Sequence, residues 1–398
     1  MLKGKTVLLG VTGGIACYKS AGLASALVKQ GANVQVLMTR NATEFIGPHT
    51  FESLTGNRVS VDTFDRNYQF QVEHIALADQ ADLVLVAPAT ANVLAKLAHG
   101  LADDMLTTTV LACDCPKIAA PAMNTRMYEN PVTQDNLALL RRYGWEIVEP
   151  ASGRLACGAV GKGKMPEPEE LLETVLHALS HAKDMEGLKV LVTAGPTREF
   201  ADPVRYVSNR STGKMGYAIA RAARNRGAAV TLLSGPVELA PPVGVEVVNI
   251  TTTRDLYEAA LRRAPEADVV IQAAAPADFR PAQYAQSKIK KSGEGMRLDL
   301  AANPDVARAL GEAKREGQIL VAFAAETNDL RENARGKLLR KNADLIVAND
   351  VTVPGAGFGT DTNCALLITR AGETEVPLCA KGELAERILD CVKELRHG

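Results

Sequence analysis

The sequence has no long apolar run, no excess of either charge and no regular cysteine spacing, and each absence removes a class of function. Its N-terminus reads MLKGKTVLLGVTGG, and the apolar stretch stops at glycine after about five residues. A signal-peptide core needs roughly 7–15 apolar residues and a membrane span ~20, so the run reads as a buried strand of a protein without a membrane partner. Lys and Arg number 45 against 46 Asp and Glu, so no global field draws the chain to nucleic acid or to anionic lipid. Any bound anion must be met locally, by helix N-termini or by a few placed lysines. The 7 cysteines (17, 113, 115, 157, 364, 379 and 391) include no CxxC, and Cys113-x-Cys115 lacks zinc-ligand spacing. Free thiols in a reducing cytoplasm fit this pattern. Neither glycine turn of the chain shows GxGxxG or Walker spacing, which disfavours an NAD-dependent reductase.

What the chain does have is an alternation of short β-branched runs with longer helical patterns. The first half carries TVLLGV, NVQVLM, DLVLVA, KIAAPA and WEIV. The second carries LKVLVT, AAVTLL, VEVVNI, DVVIQA, QILVAF and DLIVAN. Helical stretches such as KSAGLASALVKQ, TQDNLALLRRY and GYAIARAARNR lie between them, the pattern of parallel α/β sheets buried on both faces. The halves also resemble each other: segments 4–14, 31–37 and 82–90 parallel 187–197, 227–233 and 268–276. Two doubly wound, Rossmann-like α/β domains are expected, at 1–183 and 187–398, each with a ligand crevice at the carboxyl ends of its strands. The boundary falls in HAKDMEG (181–187), and the glycine-rich stretch 152–168 reads as a lid.

In the first half, Gly10 to Ile15 form a strand-to-helix turn whose N–H groups and helix dipole suit a phosphate. An ordinary tight turn reads equally well. In 87–112 two helical stretches meet at Gly100, with Thr90 and Asn92 at the first helix start. Those side chains suit a planar heterocycle or its phosphate, or plain helix capping. Thr107, Thr108 and Thr109 are weak helix formers. PAMNTRMYEN (121–130) leaves another strand end, where Asn124 offers an amide suited to a carboxylate and Met127 and Tyr128 are candidates to wall a pocket.

Taken together, TGGIACYK, VEHIALADQADLVLVAPATAN, GLADDMLTTTVLA, PAMNTRM and GRLACGAVGKGKM resemble the flavin-dependent phosphopantothenoylcysteine decarboxylase family over most of residues 4–180. The resemblance implies a flavodoxin-like fold with FMN on Gly13, Gly14, Thr39, Pro88, Thr90, Asn92 and Thr107, and essential roles for His74, Asn124 and Cys157. The chemistry explains those types. An N-acylcysteine carboxylate has no electron sink until the adjacent CH2–SH is oxidised to a thioaldehyde, and FMN takes that hydride and later returns it. His74 is assigned to proton handling at the thiol, Asn124 to orienting the carboxylate, and Cys157 to protonating the enethiol. Tyr128 departs from the family's tryptophan.

In the second half, 194–223 is a long polar excursion carrying Arg198, Arg205, Asn209, Arg210, Ser211, Thr212 and Lys214 up to a helix start, an anion-binding face. AAAPADFRP puts Asp278 past a strand end, and SKIKKSGEG supplies Lys288, Lys290 and Lys291. DPVRYVSNRSTGKMG, KIKK, FAAET and RKNADLIVAND resemble the phosphopantothenate–cysteine ligase family over nearly all of 187–395. That resemblance implies CTP as co-substrate and Mg2+ as its ion. The 4'-phosphopantothenate carboxylate attacks the α-phosphate, pyrophosphate leaves, and the amine of L-cysteine displaces CMP. Family nucleotide positions fall on Ala273, Ala274, Ala275, Asp278, Lys288, Pro304, Asp305, Val306, Ala307, Phe323, Lys337 and Lys341. Lys288 is assigned to the transferring phosphate and Asp278 to ribose or metal. Arg205 and Asn209 match positions that bind substrate or convert the intermediate, while Pro276 and Phe279 depart from the family pattern.

The product of the second activity is the substrate of the first, so the fusion reads as a coenzyme A biosynthesis enzyme. The competing readings are a single-activity FMN enzyme (a flavin prenyltransferase or a peptidyl-cysteine decarboxylase) and a non-enzymatic flavoprotein regulator. The resemblance further implies a homo-oligomer, with decarboxylase sites in trimers and ligase domains in dimers.

Overall fold

The segment Leu83–Ala89 is buried at every position, as a strand must be when helices cover both faces of its sheet. The same requirement shapes the rest of the chain, whose computed structural model describes residues 2–64, 73–154, 158, 160–180, 183–290, 297–326, 329–350, 355–357 and 359–397. Two units result, Met1–Ser180 and His181–Gly398.

The first unit runs β1 (Thr6–Val11), α1 (Cys17–Lys29), β2 (Asn33–Met38), α2 (Arg40–Thr43), α3 (Pro48–Thr55), α4 (Glu73–Gln80), β3 (Leu83–Ala89), α5 (Ala91–His99), α6 (Met105–Ala112), β4 (Lys117–Pro121), α7 (Thr125–Tyr128), α8 (Pro131–Arg142) and β5 (Glu146–Ile147). An antiparallel hairpin of β6 (Ala151–Arg154) and β7 (Val160–Lys164) then leads into α9 (Pro168–Leu179). The sheet is parallel throughout, in the order β2-β1-β3-β4-β5. Alternation along β1 sends Val7, Leu9 and Val11 into one core with Leu23, Leu27, Leu171 and Val175. Leu8 points the other way, into a core with Leu94, Leu106, Leu137 and Leu140.

The second unit runs β8 (Lys189–Ala194), β9 (Arg198–Phe200), β10 (Tyr206–Ser208), α10 (Lys214–Asn225), β11 (Ala229–Ser234), β12 (Glu246–Asn249), α11 (Thr253–Arg263), β13 (Val269–Gln272), β14 (Phe279–Pro281), β15 (Leu300–Ala302), α12 (Val306–Glu312), β16 (Ile319–Glu326), α13 (Leu330–Arg340), β17 (Leu345–Asp350), β18 (Thr362–Thr369), β19 (Glu373–Ala380) and α14 (Lys381–His397). Its sheet order is β12-β11-β8-β13-β16-β17-β18-β19. The strands are parallel as far as β17, after which β18 and β19 close the edge as antiparallel strands. This hairpin departs from a purely doubly wound reading. Its physical basis is the run Ala365–Ile368, buried at every position between β17 and β19, and the short turn around Gly372, whose carbonyl accepts from Thr369 N.

The sequence parallels between the halves acquire a meaning here. Segments 4–14, 31–37 and 82–90 fall on β1, β2 and β3, and their counterparts fall on β8, β11 and β13, in the same spatial order.

At the start of the second unit, Arg226 is 6% exposed and its guanidinium meets Asp184 and Asp390, each at 2.7 Å. Asp184 also accepts from Lys393 at 2.9 Å. This cluster holds α14 and the segment entering the unit against the end of α10. The Arg226 hydrogen bonds hold the Asp184 carboxyl down to about 2, against the burial that would raise it.

Candidate functional site

Each unit opens a cavity where its strands end. In the first unit the turn after β1 supplies Gly13 and Gly14, the turn after β2 supplies Thr39, Arg40 and Asn41, and β3 ends at Thr90 and Asn92. Lys96, Asp104, Met123 and Met127 complete a cavity of ≈ 500 Å³. A Cβ on Gly13 would stand 2.4 Å from Asn41 Cβ, so only glycine lets these two turns approach. Thr39 Oγ1 is buried without a hydrogen-bond partner, an arrangement that costs free energy unless a ligand supplies the bond. The residues therefore fit a flat, polar-edged ligand such as a flavin.

Thr90 caps α5 by accepting from Val93 N at 3.4 Å, and its backbone N–H donates to Thr12 Oγ1 at 3.1 Å. Thr12 donates in turn to Pro88 O at 2.7 Å. Pro88 thus acts through its carbonyl on the adjacent turn and does not line the cavity. Thr107 does not line it either. Its hydroxyl donates to Asp104 Oδ1 at 2.9 Å within the capping box of α6, and it borders a separate ≈ 510 Å³ cavity with Leu101, Leu111, Tyr143 and Trp145. Lys96 pairs with Asp103 at 2.6 Å and Asp104 at 3.1 Å, and the Asp103 hydrogen bond raises its pKa against the burial that would lower it.

Asn124 caps α7, accepting from Arg126 N at 2.9 Å, one residue beyond the cavity-lining Met123. His74 is the half-buried second residue of α4 and does not line the cavity. Cys157 lies outside the described residues.

The second unit brings together residues far apart in the chain. Its cavity of ≈ 680 Å³ is lined by Asn209, Ala273, Ala274, Ala275, Asp278, Pro304, Asp305, Val306, Ala307, Phe323 and Lys341, together with the start of α10 from Arg210 to Gly216. Asn209 Nδ2 donates to Pro276 O at 2.9 Å and Ala275 O at 3.2 Å. Asp305 caps α12 through Arg308 N and lies 3.4 Å from Lys341 Nζ. Arg205, Lys288 and Lys337 do not line the cavity. The Arg205 guanidinium pairs with the fully buried Asp202 at 2.7 Å and donates to Ile289 O at 3.0 Å. Asp202 also accepts from Ile289 N at 3.1 Å, so this cluster anchors the segment beside the exposed Lys288. Burial pushes Asp202 up, but the backbone N–H groups of Val204, Ile289 and Arg205 outweigh it and hold its carboxyl at about 2.

Several cavity residues escaped the sequence reading: Lys381, Asn349, Asn363, Gln272 and Asn303. Lys381 is 7% exposed and donates to Gly357 O at 3.0 Å and Thr360 O at 2.5 Å. Burial, and then the nearby Lys214, lower its pKa. A lysine opening a helix opposes the macrodipole, and that was the one signal in the sequence. Asn349 Oδ1 is buried without a partner. Among the described residues no group of three or more His, Cys, Asp or Glu side chains is placed to hold a metal. Of the two cavity carboxylates, Asp305 is engaged and Asp278 is exposed. These carboxylates do not form a protein cage for a divalent ion, and Asp278 alone is placed to add one oxygen to an ion brought in by a ligand.

Residues 1–180 match the Flavoprotein family, and residues 185–395 match the DNA/pantothenate metabolism flavoprotein C-terminal domain. The coenzyme A biosynthesis bifunctional protein CoaBC of Bacillus subtilis (strain 168) is 48% identical over 399 residues, covering 99% of this chain and 98% of that protein. The chain belongs to this bifunctional family. CoaBC of Vibrio parahaemolyticus serotype O3:K6 (strain RIMD 2210633) is 46% identical over 396 residues, with 99% of both proteins covered. A solved C-terminal domain of a CoaBC protein is 39% identical, covers 54% of this chain and 98% of its own, and superposes with a TM-score of 0.46. The chain is accordingly a bifunctional enzyme with a flavoprotein half, and neither the single-activity FMN enzyme nor the non-enzymatic regulator is favoured. Among the described residues no helix is long and apolar enough to cross a membrane.

Proposed function

We propose that the two cavities carry consecutive steps of coenzyme A biosynthesis. The second unit joins 4'-phosphopantothenate to L-cysteine at the expense of CTP, and the first decarboxylates the product to 4'-phosphopantetheine. The carrying observation is convergence: residues from Asn209 to Lys341, expected separately for nucleotide and substrate, line one cavity.

In the second unit the uncapped start of α10 and the amines of Lys214, Lys341 and Lys381 receive phosphate charge. Asn209, fixed by its two carbonyl contacts, orients the acyl group, and Arg205 steadies the segment from which Lys288 reaches the transferring phosphate. Asp278 meets the ribose or a nucleotide-borne Mg2+.

In the first unit the flavin read for the cavity is FMN, held by Gly13, Gly14, Thr39, Thr90 and Asn92, with Pro88 and Thr107 shaping the adjoining turns. Bound there, it supplies a reversible two-electron acceptor next to the substrate sulfur. Asn124 orients the carboxylate, His74 handles the thiol proton, and Cys157 delivers the proton that completes the product. A cytoplasmic setting accords with the unpaired state of the described cysteines. Exposed Leu101 and Leu111 in the first unit, and Phe279 and Leu300 in the second, supply apolar surface for the trimeric and dimeric contacts of a homo-oligomer.

The test is direct. Purified protein carries a flavin absorption band that denaturation releases as FMN, and it forms pyrophosphate only when CTP and 4'-phosphopantothenate are both present. Colourless protein, or CTP turnover independent of the acid, removes the corresponding half of the proposal.

A further inference from the structure

Glu149, just past β5, draws partners from three separate elements. Its Oε2 accepts from the hydroxyl of Tyr128, the last residue of α7, at 2.8 Å and from Lys162 Nζ of β7 at 2.6 Å. Its Oε1 accepts from Arg141 of α8 at 2.5 Å. The Lys162 ammonium also lies 5.5 Å from the centre of the Tyr128 ring. Tyr128 is 5% exposed, so its ring is packed and its hydroxyl needs the acceptor that Glu149 provides. Partial burial pushes Glu149 up, yet the hydrogen bonds from Lys162 and Tyr128 prevail and keep it below the ordinary carboxylate range. Burial and then the bond to Glu149 raise the Tyr128 phenol, so it remains a donor.

Underneath this cluster the hairpin touches the Asn124 turn directly. Met123 N donates to Gly163 O at 3.0 Å. A Cβ at position 163 would stand 2.3 Å from Met123 O, and one at 161 would stand 2.7 Å from Thr125 Oγ1. The two glycines let β7 lie flat on the turn, and the Glu149 contacts close the joint from the solvent side. Each ionic contact is partly exposed and weak alone, so their effect depends on one shared carboxylate.

We propose that Glu149 is a positioning residue for the decarboxylation, joining with Tyr128 and Lys162 to latch the β6–β7 hairpin onto the turn that presents Asn124. The inference rests on the decarboxylase reading of the first unit. None of the three residues lines the flavin cavity itself, although Met123 and Met127 of the latched turn do.

The experiment compares full-length flavin-loaded protein with its Glu149→Gln, Tyr128→Phe and Glu149→Asp variants. It measures CO2 release from phosphopantothenoylcysteine and hydrogen exchange across residues 1–180. Glu149→Gln and Tyr128→Phe are expected to lower kcat about 3–10-fold with KM changed less, since bound groups are misplaced rather than removed. Exchange is expected to quicken in 148–165 while β1 and β3 keep their protection, and Glu149→Asp is expected to recover at least half of the lost rate. Rates within about twofold of the parent with unchanged hairpin exchange overturn the proposal. So does exchange that quickens across the whole unit, which marks general destabilisation. If the parent protein itself releases no CO2, the decarboxylase reading fails, and unchanged hairpin exchange in the variants still overturns the latch.

Discussion

In the first unit β2, β1 and β3 lie side by side, and in the second β11, β8 and β13 repeat that order, with each cavity built from turns at strand ends. The materials differ. The first cavity depends on close backbone approach at Gly13 and on an unsatisfied threonine hydroxyl. The second depends on charge, with Lys214, Lys341 and Lys381 around its rim and floor and Asp202 bracing a neighbouring segment. A glycine turn with an unpaired hydroxyl suits a ligand held by shape and a few hydrogen bonds, whereas cations beside open helix N–H groups suit a polyanion. One scaffold serves both because its strands fix only where the turns begin.

The largest expected effect breaks the first cavity alone. Gly13→Val forces its side chain into Asn41 and should weaken flavin retention about 10–100-fold, as read from the absorbance of purified protein. Ligation should continue, and a parallel loss of CTP-dependent pyrophosphate release would show that the halves do not work separately. Lys381→Met is the counterpart in the second cavity. It strands the carbonyls of Gly357 and Thr360 and should reduce ligation kcat/KM by roughly 5–20-fold, matching about 1–2 kcal/mol, with flavin content unchanged.

A smaller effect concerns stability. Asp184 has a folded pKa lowered to about 2 by Arg226, so its contribution is complete above its unfolded value near 3.8 and is lost as pH falls through about 2. Asp184→Asn should therefore lower the melting temperature of the second unit's transition by several degrees at pH 7, for roughly 1–2 kcal/mol. The gap between parent and variant should close as the pH approaches 2, and a gap independent of pH would refute the ion-pair origin. Smallest is Thr39→Val, expected to weaken flavin binding about 2–10-fold, because it removes one hydrogen bond without altering shape.

The alternation of apolar runs made the strands of both sheets legible as far as β17, and three local parallels between the halves foretold the shared three-strand order. Turn residues were legible too, since Gly13, Thr39, Thr90 and Asn92 all lie within three residues of a strand end and line the cavity. Side-chain engagement was not. The Thr107 hydroxyl serves its own helix cap, and the Arg205 guanidinium pairs with Asp202 three residues away. Lys381 reaches the cavity from the end of β19, whose antiparallel pairing is set by long-range register that no local spacing announces, while Asn349 lies on β17, where the apolar run shows the strand but not which side chain faces the cavity. The latch around Glu149 likewise joins residues from four separate segments.

The division of labour is tested most directly by two substitutions in one assay that follows both CO2 and pyrophosphate. His74→Asn should abolish CO2 release while pyrophosphate formation stays within about twofold of the parent, and Lys288→Gln should do the reverse. Loss of both products in either variant would contradict two separately housed activities.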